Sequence, residues 1–154
     1  MKIIEENLVD FAITANTKEE VVKQLAKKMA DEGRLYCRCG YIESVLEREN
    51  LTSTGIGFGI AIPHGKSEHV KEVSIAFGRL SSPMDWQSLD NQPVEMIILL
   101  AVPEKNQGDQ HLRMLAGLSR KLIHEEFRKK LQFSTDKEEI VQLLNESMET
   151  ITMK

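Results

Sequence analysis

The pattern of hydrophobic and polar positions predicts helices toward both ends of the chain. Residues 17–20 form a capping sequence in which a threonine hydroxyl and a glutamate carboxylate can satisfy free N–H groups at a helix start. Apolar residues follow at helical spacing, and Gly33 offers the left-handed conformation that ends such a helix. The same periodicity predicts helices over residues 39–48 and 109–123, and a last helix begins with a similar capping sequence at residues 136–139.

Strands are predicted in the middle of the chain. Residues 73–79 alternate large apolar side chains with small or polar ones, as a half-buried strand does. Residues 94–102 form a nearly continuous apolar run between two prolines, which suits a central strand covered on both faces, and residues 59–62 are a shorter candidate. This order predicts an α/β three-layer sandwich: a mixed central β-sheet with helices on both faces, built as one domain over residues 1–154.

Composition excludes several classes of protein. The chain has 154 residues, 41% of them hydrophobic and 29% charged, which is typical of a globular domain with a real core. A pI near 5.6 disfavours a nucleic-acid partner, and no apolar run approaches the ~20 residues of a membrane span. The acidic start is unlike a signal peptide, and the C-x-C spacing of Cys37 and Cys39 favours free thiols. We therefore expect a cytoplasmic protein that does not insert into membranes.

A glycine-rich segment at residues 52–66 carries the candidate chemistry. Its glycines follow a G-x-G-x-G pattern, which is neither the G-x-G-x-x-G of dinucleotide sites nor a phosphate loop ending in G-K-[ST]. Nucleotide binding is therefore disfavoured. The segment ends in Pro63, His64 and Gly65, where proline restricts the backbone and glycine permits a turn. We expect His64 on a sharp, rigid turn, where a stiff scaffold can present a reactive residue; a half-buried loop histidine without a function is the alternative.

Two further residues suit phosphate chemistry. His111 lies in the first turn of the helix predicted at residues 109–123, and helix N-termini attract anions. Arg48 has the planar fork that clamps a phosphoryl group with two hydrogen bonds. Local chemistry leaves simpler interpretations open, a surface histidine and an arginine on a solvated helix face. His69 and His124 stand among charged residues and are expected on the surface.

The sequence from residue 54 to residue 65 resembles the active-site signature of enzyme IIA components of the bacterial sugar phosphotransferase system, in the mannitol/fructose-type family. Arg48-Glu49 before the glycines and His111-Leu112 after them also fit this family. Residues 119–122 and 125–128 resemble its fructose-type members more than its nitrogen-regulatory branch. The resemblance covers essentially the whole chain.

The resemblance implies a phosphoryl carrier. His64 is expected to accept a phosphoryl group from the phosphohistidine of HPr and to pass it to a cysteine of a IIB component, which serves a membrane component IIC. Fructose, mannitol or a related sugar is the expected cargo. His111 and Arg48 are expected to stabilise the phosphoryl group, since phosphoryl transfer depends on positioning and charge stabilisation. The hydroxyls of Thr52 and Thr54 and the backbone at Gly65 are candidate further donors; no nucleotide, metal or other cofactor is expected.

Two alternatives stay open at the level of sequence. The first is a regulatory phosphocarrier of the nitrogen-type branch, which acts by phosphorylation-dependent protein binding. The second is a metal-dependent hydrolase that uses His64, His111 and nearby carboxylates. Against it, no two of these ligands share an H-x-x-x-H or H-x-x-E spacing. Partners must reach His64, so Phe58, Ile60 and Ile62 are expected either as an apolar ring around it or as core residues.

Overall fold

The computed structural model of the protein describes residues 3–105 and 110–152, and the side chains of residues 110–112 and 148–152 fall outside this description. A short 3₁₀ turn at Glu6–Leu8 precedes the regular elements. The helices are α1 (Lys18–Asp31), α2 (Arg38–Leu51), α3 (Gln110–Leu122), α4 (Glu125–Phe133) and α5 (Lys137–Thr152). The strands are β1 (Val9–Ile13), β2 (Gly55–Gly57), β3 (Ile60–Ala61), β4 (His64–Ser67), β5 (Ser74–Met84) and β6 (Val94–Pro103).

The strands form one mixed sheet in the order β1-β5-β6-β3-β2, with β4 also paired to β6. β5 and β6 are antiparallel, β1 runs parallel to β5, and β3 and β4 both run parallel to β6. β2 and β3 make an antiparallel hairpin. β6 is thus the central strand, and its side chains are buried from Val94 to Val102 except at Glu95, as its continuous apolar sequence predicts.

Helices cover both faces, so the predicted three-layer sandwich is confirmed. α1 and α2 pack against each other, with α1 over β5 and α2 over β4, whereas α3, α4 and α5 pack together as a second group. The buried faces of these helices and of the sheet form one continuous hydrophobic core.

The boundaries of α1 follow the predicted capping. The hydroxyl oxygen of Thr17 accepts from the backbone N–H of Glu20 at 3.1 Å. At the other end Gly33 has φ +73°. The N–H groups of Gly33 and Arg34 donate to the carbonyls of Ala30 and Met29 at 3.0 and 2.9 Å, the paired bonds of a Schellman cap. α2, α3 and α5 are also confirmed, although α2 extends from Arg38 to Leu51, beyond the predicted 39–48.

Four elements were not predicted: the short strands β2 and β4 beside the predicted strand at 59–62, and β1 and α4. β1 precedes the first helix and pairs with β5, far along the chain, so the expected order of helices first and strands afterwards is wrong at this point. Its short sequence carries little periodic signal of its own. α4 buries only Leu131 among its nine residues, which leaves almost no apolar stripe for periodicity to detect.

Candidate functional site

His64 is the first residue of β4 and not part of a turn. Ile60 pairs with Met96, Ala61 with Ile97 and His64 with Leu100, all at one register offset. β3 and β4 therefore continue a single line of chain along β6, interrupted only at Ile62 and Pro63. Residues 60–63 are buried, and His64 is the first residue after them with exposed surface. The expected sharp turn is wrong.

Gly65 was expected to permit a turn after His64. In the structure its lack of a side chain serves helix packing instead. A Cβ atom at this position would lie 3.0 Å from Val45 Cγ2, 3.1 Å from Ser44 Oγ and 3.2 Å from Tyr41 Cε1. Such distances are tight for a real side chain. The missing side chain thus lets α2 approach β4 directly beside His64, while the backbone of Gly65 stays extended within the strand.

One nitrogen of the His64 ring has a defined partner. Nδ1 lies 3.0 Å from the carbonyl oxygen of Ile62. A carbonyl oxygen only accepts hydrogen bonds, so the contact holds the proton on Nδ1. In the neutral ring the lone pair then resides on Nε2. The lone pair of this half-buried imidazole is therefore placed on Nε2.

A tight hairpin leads into this strand. Gly57, Phe58 and Gly59 have φ values of +100°, +59° and +75°, all in the left-handed region. We call these three residues the hairpin tip, and Thr54 with Ile62 the hairpin root, because the N–H of Ile62 donates to the carbonyl of Thr54 at 3.0 Å. The root joins the two ends of the β2–β3 hairpin immediately before His64.

The tip is exposed and is held by two charged residues. Phe58 is 57% exposed, and its N–H lies 3.3 Å from Asp90 Oδ2. The guanidinium of Arg128 stacks on its ring at 4.0 Å. Arg128 also donates to the carbonyls of Leu122 and Ile123, at 2.7 and 2.8 Å. The arginine of α4 therefore joins the hairpin tip to the end of α3.

Of the three apolar residues expected around the site, only Phe58 faces solvent. Ile60 and Ile62 are 0% and 3% exposed, and both belong to the hydrophobic core. The alternative in which they are core residues is therefore the correct one for these two positions.

Arg48 and Thr52 meet at the end of α2. One guanidinium N–H of Arg48 donates to the carbonyl of Thr52 at 2.9 Å, and the exposed Thr52 hydroxyl donates to the carbonyl of Leu51 at 2.7 Å. Arg48 thus caps the helix on which it stands. An arginine near a helix C-terminus is favourable for the last carbonyls.

The Thr54 hydroxyl is buried and already has partners. It donates to Glu49 Oε1 and accepts from Trp86 Nε1 at 3.4 Å. This hydroxyl therefore belongs to a buried network beneath the hairpin root.

Glu49 is the residue that sequence reasoning missed. It is 7% exposed, and its carboxylate accepts from the Thr54 N–H at 2.9 Å and from Lys18 Nζ at 3.0 Å. Its neighbours in sequence suggested a solvated helix face. The available signal was its position four residues after Val45, itself four after Tyr41, on the stripe that α2 buries.

His111 occupies the first turn of α3, as predicted, but its side chain lies outside the described residues. His124 is exposed, as expected. His69 is half-buried, with its ring against Gly40. Cys37 and Cys39 are free thiols. In the described part of the chain no helix is long and apolar enough to cross a membrane, and no three histidine, cysteine or acidic residues cluster as a metal site would require.

Known proteins resemble this chain over most of its length. It is 36% identical over 133 residues to the fructose-specific EIIA component of the phosphotransferase system of Haloferax volcanii, covering 86% of each chain. It is 38% identical over 133 residues to a nitrogen regulatory protein of Bradyrhizobium diazoefficiens, again covering 86% of each.

Solved structures share the fold. The nitrogen regulatory protein IIA-Ntr of Neisseria meningitidis superposes with a TM-score of 0.83 at 30% identity, over 92% of this chain and 96% of that one. The mannitol enzyme IIA in its complex with phosphorylated enzyme IIB from Escherichia coli gives 0.76 at 22% identity, over 92% and 96%. The family model for the phosphoenolpyruvate-dependent sugar phosphotransferase system, EIIA 2, matches residues 2–147. This match spans nearly the whole chain, and the chain therefore belongs to the EIIA 2 family of the sugar phosphotransferase system.

Proposed function

We propose that His64 is the phosphoryl acceptor of a sugar phosphotransferase IIA component. The observation that carries this proposal is the contact between Nδ1 and the Ile62 carbonyl, which directs the lone pair of a half-exposed ring to Nε2. Strand β4 fixes the ring on one side of the sheet, so the nucleophile is oriented before a donor arrives.

The proposed reaction has two reversible transfers. The Nε2 lone pair attacks the phosphorus of a phosphohistidine on HPr; an N–P bond forms as the donor's N–P bond breaks, and the donor imidazole recovers its electron pair. The thiolate of a IIB cysteine then attacks the same phosphorus, and His64 leaves with the electron pair of the broken N–P bond. The Escherichia coli mannitol complex, which joins a IIA protein of this fold to phosphorylated IIB, supports IIB as the partner.

Charge on the transferred group requires donors nearby. Arg48 carries five N–H donors, one of which serves the Thr52 carbonyl, and it stands at the end of the helix that packs beside His64. His111 lies in the first turn of α3, where helix N–H groups favour an anion. We assign both residues to stabilising the phosphoryl group. Thr52 and the backbone at Gly65 are further candidate donors, while Thr54 acts through the hairpin root.

Label transfer from phosphorylated HPr tests this function. The unmodified protein should take up one phosphoryl group, and His64→Ala should take up none. His124→Ala is the matched control, because this exposed histidine makes no side-chain capping bond at α4. The control should take up one phosphoryl group, and retention of labelling in His64→Ala would reject the assignment.

A regulatory role is the second candidate. The nitrogen regulatory relative at 38% identity and the IIA-Ntr structure favour it as much as the fructose-specific relative favours uptake of fructose. Transfer of label onward to a fructose-type IIB distinguishes the two. Sugar uptake requires this second transfer, whereas a regulatory phosphocarrier would retain the phosphoryl group and change its protein partners.

A further inference from the structure

We propose that Glu49 is a positioning residue for His64, acting through Thr54 and Ile62; this inference rests on the proposed phosphoryl transfer for its kinetic consequence but not for its geometry. Glu49 is a buried acidic residue, and the proposed phosphoryl transfer assigns it no role. Its carboxylate contacts Lys18 and Thr54, and the route from there to His64 runs through the hairpin root.

The carboxylate is fully engaged beneath the root. Oε2 accepts from Lys18 Nζ at 3.0 Å and from the Thr54 N–H at 2.9 Å, while Oε1 accepts from the Thr54 hydroxyl. The side chain of Glu49 is 4% exposed and that of Lys18 21%. Trp86 closes the cluster, because its Nε1 donates to Thr54 and its ring lies 5.3 Å from Lys18 Nζ.

From Thr54 the contacts continue to the candidate nucleophile. The Thr54 carbonyl accepts from the Ile62 N–H at 3.0 Å, and the Ile62 carbonyl lies 3.0 Å from His64 Nδ1. Ile62 and the proline after it are buried, so the chain between the root and His64 has little room to move. Four successive contacts thus join the amine of α1 to the imidazole.

The chemistry of Glu49 suits a residue that sets a backbone position. A carboxylate can accept at both oxygens, so it holds the N–H and the hydroxyl of Thr54 at once. A glutamine has one acceptor and one donor group, so one of those two donors would lose its partner. We infer that the negative charge keeps Thr54, and with it the Ile62 carbonyl, where it selects the Nδ1–H form of His64.

The tautomer of His64 is the decisive measurement, because a purely structural role would not shift it in a folded variant. We would record the ¹⁵N shifts of the imidazole of the free protein at a pH where His64 is neutral. Nδ1–H should dominate in the unmodified protein. In Glu49→Gln the Nε2–H form should gain a substantial share. Phosphoryl uptake from phosphorylated HPr should fall by about 10- to 100-fold, the range measured for outer partners that orient metal-binding histidines.

Glu47→Gln is the matched control, since it removes the same charge from an exposed position two residues earlier on α2. It should leave the tautomer and the uptake rate unchanged. Thr54→Val and Thr54→Ser form a second pair that does not alter the carboxylate. The valine variant, which loses the hydroxyl donor, should shift the tautomer in the same direction, and the serine variant should restore it. This pair tests the positioning role if Glu49→Gln does not fold.

The outcomes separate the two proposals. An unchanged Nδ1–H form in folded Glu49→Gln or, if that variant does not fold, in Thr54→Val would overturn the positioning role, even if uptake fell. An altered tautomer in a protein whose unmodified form takes up no phosphoryl group would leave the positioning role standing and reject the proposed function. An equal effect of Glu47→Gln would also overturn the inference, because the change would then reflect overall charge.

Discussion

The root and the tip of the hairpin before His64 are built on opposite principles. The root is buried, and the polar groups of Thr54 bond to Glu49 and Trp86, while Lys18 pairs with the Glu49 carboxylate. The tip projects into solvent with three successive left-handed residues and an exposed Phe58. From this difference we infer that the root sets the geometry of His64 and that the tip contacts partner proteins. Four predictions test this division, from the largest expected effect to the smallest.

Removing the charge at the root should have the largest effect. Glu49→Ala leaves Lys18 without its partner and two donors of Thr54 without an acceptor. Breaking a buried pair from one side costs about 3–5 kcal/mol, and the partial exposure of Lys18 places our expectation near the lower end, about 3 kcal/mol. Urea unfolding measures this loss, with Glu47→Ala as control. A loss of stability under about 1 kcal/mol would show that the charge of Glu49 does not stabilise the root.

Filling the space beside His64 should have the next largest effect. Gly65→Ala places a Cβ atom 3.0 to 3.2 Å from Val45, Ser44 and Tyr41, and overpacking of this kind costs about 1–3 kcal/mol. Gly59→Ala at the tip meets only the Pro93 carbonyl, at 3.8 Å, but needs φ +75°, so its cost is purely conformational. Thermal unfolding compares the two variants. Gly65→Ala should also slow phosphoryl uptake. A normal rate would show that the packing of α2 at this position does not affect the site.

The third prediction concerns alkaline pH. Burial raises the pKa of the Tyr41 hydroxyl well above its ordinary value of about 10, and this hydroxyl donates to the carbonyl of Leu100, the strand partner of His64. Above pH 10 the unfolded chain loses this proton while the folded protein keeps it, so stability should fall as pH rises. Tyr41→Phe should cost about 1 kcal/mol at pH 7 and flatten that alkaline decline. An equally steep decline in both proteins would assign it to other groups.

The tip should contribute least to stability. Phe58→Ala removes an exposed ring and its stacking with Arg128, worth about 0.5–1 kcal/mol. Its main effect should be on partners: KM for phosphorylated HPr or for IIB should rise by about tenfold, as for a well-placed aromatic contact, while kcat changes little. A fall in kcat with constant KM would mean that the tip, like the root, sets the geometry of His64.

Local signals in the sequence predicted much of the fold. These signals each lie within a few consecutive residues: the capping residues of α1, the apolar run of β6 and the proline–histidine pair. β1 depends on pairing with a strand more than sixty residues away, and α4 is held through contacts of α3 and α5 with few apolar residues of its own. Such elements are decided by tertiary structure and leave a weak local pattern.

The site divides in the same way. His64 stands out because of its neighbours in sequence, and the resemblance to a family added Arg48 and His111. Gly65 was expected to form a turn, whereas the structure shows that it allows the close approach of α2. Glu49 differs from Glu47 only in the face of the helix that it occupies, so its role became visible once the hairpin root was in place.

The most direct test of the account is the position of the phosphoryl group after incubation with phosphorylated HPr. The protein should be labelled with ¹⁵N in its histidines, and ³¹P–¹⁵N NMR should identify the bonded nitrogen. We predict one phosphoryl group, on Nε2 of His64. A phosphoryl group on Nδ1 of His64, or on any other residue, would contradict it.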